Sequence, residues 1–527
     1  MLNKIGQIFR TIIYLKWYQI FYQFYYRFKR YIVRPDDYDL NDKWKFELIK
    51  SFTFYDLYES QWDFEYPLTF SFLNQKHKFH NYIDWNFIGL GKLWNYNLQY
   101  CDFLNNHKID ENTKFILLKD CAESIILNKL KLEPYPVSIR IVNTFFFISK
   151  SNIISTEIDK SLKIQIRYLE KNLEYHIEAN HLLENYIALT FSGIFYSDSH
   201  LLKKYYPITL KALESQILND GGHYECSPMY HVIILSKLIV LKECLTLKLI
   251  STDTLDEVLK KMMGWISTFS FRNNIYSFFN DATSGIAPDL TLLYKAAKHI
   301  NLDFGQNNLF DSGYRKFVDD RFEILVDVGN IIPSFQPGHA HSDMLSFCMN
   351  YDNKSIIVDN GISTYQIGEL RNFERSTKAH NTVTLFDKNQ SEVWGGFRVG
   401  KRATITIFKD NPQHLSASHN GYFAEFGINH LREFEFNSDG LVILDKLEGK
   451  NLPVNAAVCR FYFDFNTELK LLDSNVFVDD LLIFNFEKST NISILKYRQA
   501  IGYNLFKESQ YLEITFQNEL KTSIFKK

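Results

Sequence analysis

The chain has 527 residues, 46% hydrophobic and 23% charged, with a formal net charge of −2, which excludes an intrinsically disordered protein. No run reaches the roughly 18 uninterrupted apolar residues of a membrane-spanning helix, so a helical integral membrane protein is excluded too. Seven cations and no acid fall within residues 1–35, leaving −9 for the rest; an acidic body cannot neutralise a phosphate backbone, and nucleic acid is not an expected partner.

Length predicts two to four domains, because a single core stops growing near about 250–300 residues. Residues 1–39 form a basic, aromatic segment. Lys16 cuts the apolar run from Thr11 to Leu15 below the ~7–15 residues of a secretory leader's core, so cleavage is not the expected fate. The stretch Ile12 to Tyr31, with Tyr, Phe and Trp set between cations, reads in two ways. It is an interfacial amphipathic helix making peripheral membrane contact with anionic lipid, or a helix packing its aromatic side on the body. Location therefore stays open between cell envelope or periplasm and a cytoplasmic or membrane-peripheral site, as does the oligomeric state.

Residues 40–315 read as mainly helical, with apolar residues at three- and four-residue spacing. Leu182, Leu183, Tyr186, Ile187, Leu189 and Ile194 mark one helix over 178–195. Ser227 is a good N-cap with Pro228 in the first helical position, predicting a second helix to about Leu249. From Tyr314 the period becomes alternating, beginning with Phe322, Ile324, Val326 and Val328 on one side of a strand. Residues 316–527 then read as short strands and hairpins, among them Leu345–Tyr351 with Ser355–Asp359 and Val476–Val478 with Leu481–Phe486. Strands with no intervening helices predict an antiparallel β-sandwich. The six cysteines (Cys101, Cys121, Cys226, Cys244, Cys348, Cys459) include no CxxC pair, so neither a zinc ribbon nor a dense disulfide framework is indicated.

Four clusters could carry chemistry. Asn180, His181 and Glu184 share one face at the start of the first helix named above. The loop Asp220-Gly221-Gly222-His223-Tyr224-Glu225-Cys226-Ser227-Pro228-Met229-Tyr230-His231 enters the second. There the positive end of the helix dipole would ease proton loss from Tyr230. In Pro337-Gly338-His339-Ala340-His341-Ser342-Asp343 the two histidines point to the same side of an extended segment. His341, Asp359 and His380 are a plausible nitrogen and oxygen set for a divalent ion such as zinc, although ordinary hydrogen-bonded histidines fit the same spacing.

Together these clusters resemble the heparinase II/III family of polysaccharide lyases. The resemblance extends through Asp84-Trp85-Asn86, Leu93-Trp94-Asn95-Tyr96-Asn97-Leu98, Glu133-Pro134-Tyr135-Pro136-Val137-Ser138-Ile139-Arg140, Ala379-His380-Asn381-Thr382-Val383 and Ser391-Glu392-Val393-Trp394-Gly395-Gly396-Phe397-Arg398. It implies an α+β multidomain chain: an incomplete α/α toroid followed by the β-sandwich. It implies β-elimination on a uronic-acid polysaccharide, with Asn180 and His181 neutralising the uronate carboxylate, Tyr230 as acid and possibly base, and His339 as base or charge neutraliser. Glu184, Tyr224, Glu225, His231, Arg375 and Trp394 are implied substrate-binding residues. One structural zinc on His341, Asp359 and His380 would pin the strands beneath His339. No organic cofactor is implied.

The acidic body suits a carboxylated, little-sulfated polymer better than a heavily sulfated one, although Arg140, Arg371, Arg375 and Arg398 could build a local basic cleft. Two other readings compete. A toroid glycoside hydrolase would need two opposed carboxylates from Glu184, Glu225 and Asp281. A non-catalytic polysaccharide-binding or surface-polysaccharide assembly protein would keep the fold alone.

Overall fold

A computed structural model describes residues 2–32, 44–49, 57, 62–437, 440–449, 452–453 and 455–527. The N-terminal segment forms two helices, α1 (Leu2–Ile12) and α2 (Trp17–Ile32). Both lie against the body and straddle its two parts: Arg10 pairs with Glu392, while Lys16 and Tyr18 both reach Glu178.

The helical part follows as α3 (Lys92–Gln99), α4 (Glu111–Ile126), α5 (Pro134–Ser151), α6 (Thr156–Lys171), α7 (Ala179–Phe195), α8 (Ser199–Gln216), α9 (Pro228–Leu247), α10 (Asp253–Phe269) and α11 (Leu290–His299). These helices make two layers. Helices α5, α7 and α9 are buried around most of their circumference and neighbour one another in chain order. Helices α6 and α10 each bury one apolar face and expose the other, so they belong outside. Inner and outer helices alternate along the chain, which is the winding of an incomplete α/α toroid. The predicted cap explains the start of α9, where Ser227 Oγ accepts from the Tyr230 N–H at 3.3 Å, and Asp198 caps α8 in the same way.

One element of the helical part escaped the periodicity argument. Asp63–Glu65, Thr69–Phe72 and Gln75–Lys78 form a three-stranded antiparallel sheet, whose Phe70 and Phe72 are buried in the toroid core. Strands of three or four residues are too short to display a period.

After α11 the chain changes to strands, beginning at Tyr314–Val318. Four of them make an antiparallel sheet in chain order: Tyr314–Val318, Phe322–Asp327, Phe347–Tyr351 and Lys354–Ile357. Its tight turn Asp352-Asn353 has positive φ at both residues, as a two-residue hairpin requires. The strand Phe322–Asp327 is buried on both faces. Phe322, Ile324 and Val326 face a second, ten-stranded sheet, whereas Leu325 joins the toroid core. Phe347 packs 5.7 Å from Phe434 and 5.6 Å from Phe461 across the two sheets, closing the sandwich. The larger sheet differs from the expected run of short strands, because Leu482–Gly502 and Leu505–Lys526 are 21 and 22 residues long. Register shifts near Lys488 and Ala500 reset their in–out alternation, so each reads as two short strands. The hairpin tip they share reaches the toroid, where Asn504 Nδ2 donates to the Leu73 carbonyl and Asn74 Nδ2 to that of Tyr503.

Candidate active site

Between toroid and sandwich lies a cavity of about 1050 Å³. His181 from α7, Tyr230 from the first turn of α9, and His339, Tyr365 and Tyr503 from the sandwich side all line it. Tyr96, Tyr100 and Tyr135 extend it along the toroid as aromatic surfaces.

The rings of Tyr230 and His339 lie 4.2 Å apart, so two elements distant in sequence put both groups at one point. Tyr230 is set by its helix cap, and Ser227 Oγ also donates to the Asp281 carbonyl at 2.6 Å. The Tyr230 hydroxyl shares a 3.1 Å hydrogen bond with that of Tyr365. Burial lifts the phenol above its ordinary range, and the Tyr365 contact opposes this only in part. Burial thus acts against the easing of proton loss expected from the helix dipole and favours the neutral phenol.

His339 is oriented by Asp281, whose Oδ2 accepts from His339 Nδ1 at 2.8 Å. That contact leaves Nε2 as the free lone pair, 3.8 Å from Glu225 Oε1. Asp281 also accepts from His341 Nε2 at 2.9 Å and from both terminal nitrogens of Arg371. Burial alone would raise this carboxyl, but the Arg371 charge and these hydrogen bonds hold it well below the ordinary carboxylate range. Sequence reading enlisted Asp281 only as a hydrolase carboxylate. Fully buried and saturated, it orients His339 instead.

His181 Nδ1 is 3.1 Å from Glu174 Oε1, and its ring packs 4.2 Å from Tyr135. Burial disfavours its charged form, yet the charge and hydrogen bond of Glu174 prevail and raise its pKa. Asn180, one residue earlier, is 3% exposed and does not line the cavity. The backbone entering this helix is strained, with φ of 63° at Glu178 and 49° at Ala179.

The six expected substrate-binding residues lie outside this cavity, each for a visible reason. Glu184 is buried in an ion pair with Lys237, joining α7 to α9. Tyr224 packs edge-on against Phe335. Glu225 sits behind His339, and burial raises its carboxyl pKa. His231 is 3.0 Å from the Met262 carbonyl and packs on Trp265, with its pKa lowered to about 3 by burial. Arg375 donates to the Ala340 carbonyl, and burial brings it down to about 9. Trp394 donates to Thr11 Oγ1 beneath α1.

The basic cleft does not form either: Arg140, Arg371 and Arg375 are buried, and Arg398 is exposed outside the cavity over Trp394. Among the described residues, the lysines lining the cavity are Lys92, Lys108 and Lys237, paired with Glu133, Asp63 and Glu184.

Beneath His339 a second group assembles. His341 Nδ1, His380 Nε2 and Asp343 Oδ2 are buried without hydrogen-bond partners. Donor atoms of these three residues lie within 4.8 Å of one another, so they fit a small divalent ion such as zinc. The expected ligand Asp359 is not part of this trio. Its Oδ2 accepts from His380 Nδ1 at 2.7 Å and holds the ring from behind. Asp343 was quoted only within its motif, where nothing local distinguishes it from Asp359. Tyr365 and Tyr503 were missed because only the folded chain brings them to the site, and Glu174 because it lies seven residues before His181 in a loop with no motif to mark it.

The sequence matches the family description "Heparinase II/III N-terminus" over residues 139–307 and "Heparinase II/III-like, C-terminal" over residues 304–476. A curated relative, "Heparin-sulfate lyase" of Bacteroides stercoris, is 22% identical over 244 residues; the matched stretch is 41% of this chain and 37% of that protein. A crystal structure of heparinase III superposes with a TM-score of 0.67 at 16% identity, covering 94% of this chain and 86% of that one. Heparan sulfate lyase HepC from Pedobacter heparinus gives 0.55 at 15% identity, covering 86% and 80%. At these identities the structural likenesses establish the toroid-plus-sandwich fold.

Proposed function

The chain belongs to the heparinase II/III family, and from that premise we propose that it is a polysaccharide lyase cleaving a uronic-acid polymer by β-elimination. The observation that carries this is the Tyr230–His339 pair at the domain interface, with His339 backed by Asp281.

Abstracting the C5 proton of a uronate places a second negative charge beside the carboxylate, so that carboxylate must first be neutralised. His181 takes this part, since Glu174 favours its cationic form and it lines the cavity. His339 Nε2 accepts the C5 proton, while the Asp281 carboxylate keeps accepting the Nδ1–H hydrogen bond and so stabilises the imidazolium that results. Tyr230, held protonated by burial, delivers a proton to the departing O4. The C5 electron pair then forms the C4–C5 double bond, and no water is consumed.

His341, His380 and Asp343 would hold the structural ion, which would supply positive charge beneath the loop that carries His339. Buried arginines and acid-paired lysines leave little cationic surface for sulfate groups, which supports a carboxylated, little-sulfated substrate. The aromatic walls offer stacking faces for sugar rings. A hydrolytic alternative is disfavoured, because Glu184 and Asp281 are locked in buried ion pairs.

The test is a panel of sulfated and unsulfated uronate polysaccharides, followed by ultraviolet absorbance and by reducing ends. Unsaturated uronate rising in step with reducing ends is expected, fastest on an unsulfated polymer. Reducing ends without absorbance would make the enzyme a hydrolase, and faster cleavage of heavily sulfated chains would overturn the substrate class.

A further inference from the structure

A helix lying on a folded body normally turns its apolar stripe inward and its charges outward. Helices α1 and α2 do the reverse. In α1 the residues Ile5, Ile8, Phe9 and Ile12, spaced to share one helix face, are all solvent-exposed, Phe9 by 68%. The linker adds exposed Ile13 and Tyr14, and α2 adds Trp17, Phe21, Phe24 and Phe28, again one stripe, with Trp17 77% exposed.

The polar side makes the contacts with the body. Arg10 donates to Glu392, and Thr11 accepts from Trp394. Lys16 and Tyr18 hold Glu178, and Gln19 donates to Gln336. Tyr22 stacks on Tyr175 at 4.7 Å, and Tyr26 and Lys29 donate to the Leu173 and Lys171 carbonyls along the same attached face of α2. The exposed stripe is thus the side left over after specific docking, since the polar anchors fix which way each helix turns.

Charge names the partner. Within residues 1–35 there are seven cations and no acid, while the remainder carries −9. Among the described residues Lys4 and Arg27 are exposed beside the stripe and form no ion pair. Apolar and aromatic residues flanked by unpaired cations, on helices lying flat against a body, are the chemistry of an interfacial segment that meets anionic headgroups. We propose that the α1–α2 face docks this protein on an anionic lipid bilayer. The inference is independent of the lyase reading. It has a consequence for it: Glu178, the anchor of Lys16 and Tyr18, lies two residues before Asn180 and three before His181, so docking would hold one rim of the cleft at the membrane surface.

The test sediments the full chain with vesicles of phosphatidylcholine, with or without phosphatidylserine. Wild type should pellet with phosphatidylserine vesicles and be released as salt rises. Phe9→Ser, Trp17→Ser and Phe24→Ser combined should lower the pelleted fraction by about tenfold, and Lys4→Glu with Arg27→Glu should abolish the preference for phosphatidylserine. The thermal midpoint should stay near that of wild type, because all five side chains are exposed. Trp17→Phe, which keeps the apolar face, should remove the quenching of tryptophan fluorescence by brominated lipid. Equal pelleting with both vesicle types, unchanged binding by the triple variant, or quenching that survives Trp17→Phe would each overturn the proposal. So would a concentration-dependent dimer abolished by the triple variant while wild type stays in the supernatant, since a second copy would then own the stripe.

Discussion

Tyr230 and His339 meet ring against ring, yet burial acts on one and a carboxylate on the other. Tyr230 loses only the Tyr365 hydrogen bond when its hydroxyl is removed. Tyr230→Phe should therefore cost no more than about 1 kcal/mol in stability while lowering turnover by at least ~10²-fold; steady-state rates with a melting curve check both, and near-normal turnover would remove Tyr230 from the mechanism. His181 supplies a pH prediction. Glu174 raises its pKa against the effect of burial, so the cation persists to higher pH than in a free imidazole. In Glu174→Gln that support is gone. The limb of kcat/KM that falls as pH rises should move to lower pH, and an unmoved limb would mean that the charge on His181 does not neutralise the substrate.

The chemistry depends on where short elements end. The loop from Asp220 enters α9 through Gly221 at φ 92°, where a Cβ would sit 2.1 Å from the Lys261 carbonyl oxygen, so no other residue fits. Asp220 fixes the same loop by accepting from the N–H and hydroxyl of Ser312 at 2.7 and 2.8 Å. On the sandwich side the His339–Asp343 loop and the turn carrying His380 are brought together by His341, Asp343 and His380. Purified protein should carry about one zinc per chain, by the donor set. Asp343→Asn should lower both metal content and thermal midpoint, whereas Asp359→Asn should mainly weaken affinity through the His380 ring, by some 10–100-fold. Metal analysis with calorimetry separates the two, and a metal-free protein unaffected by chelator would leave these side chains as buried polar groups only.

At the scale of the whole molecule, Asp281 ties the two halves together. It lies between α10 and α11 and binds His339, His341 and Arg371, all from the sandwich side. Removing it strands the buried Arg371 guanidinium, so Asp281→Ala should cost about 3–5 kcal/mol and abolish activity together. Its folded pKa is depressed, so its contribution is present above the ordinary carboxylate value of 3.8 and is lost as pH falls through the depressed value. The gap in thermal midpoint between wild type and Asp281→Ala should therefore narrow below about pH 4, as Wyman linkage requires. A gap independent of pH would show that packing, rather than the ionised pair, is what the variant loses.

Much of the architecture was legible in the sequence, because period and capping are local. The helical spacing, the Ser227-Pro228 start of α9 and the alternation from Phe322 each follow from residues within a turn or two of one another. The three-stranded sheet at 63–78 and the two long strands were not, since short segments show no period and bulges reset it. At the site, local motifs pointed to His181, Tyr230 and His339, which carry their own sequence neighbourhoods into one cavity. Asn180 shares the motif but is buried and does not line that cavity. Tyr365, Tyr503 and the choice of Asp343 over Asp359 depend on distances between residues tens to hundreds of positions apart, and no local spacing encodes those, while Glu174 reaches His181 from only seven residues earlier across a loop that carries no helical period. The surroundings of Tyr230 are the sharpest case: sequence supplies its place at a helix start, but the desolvation that raises its pKa is set by everything packed around it, and only the tertiary structure decides that.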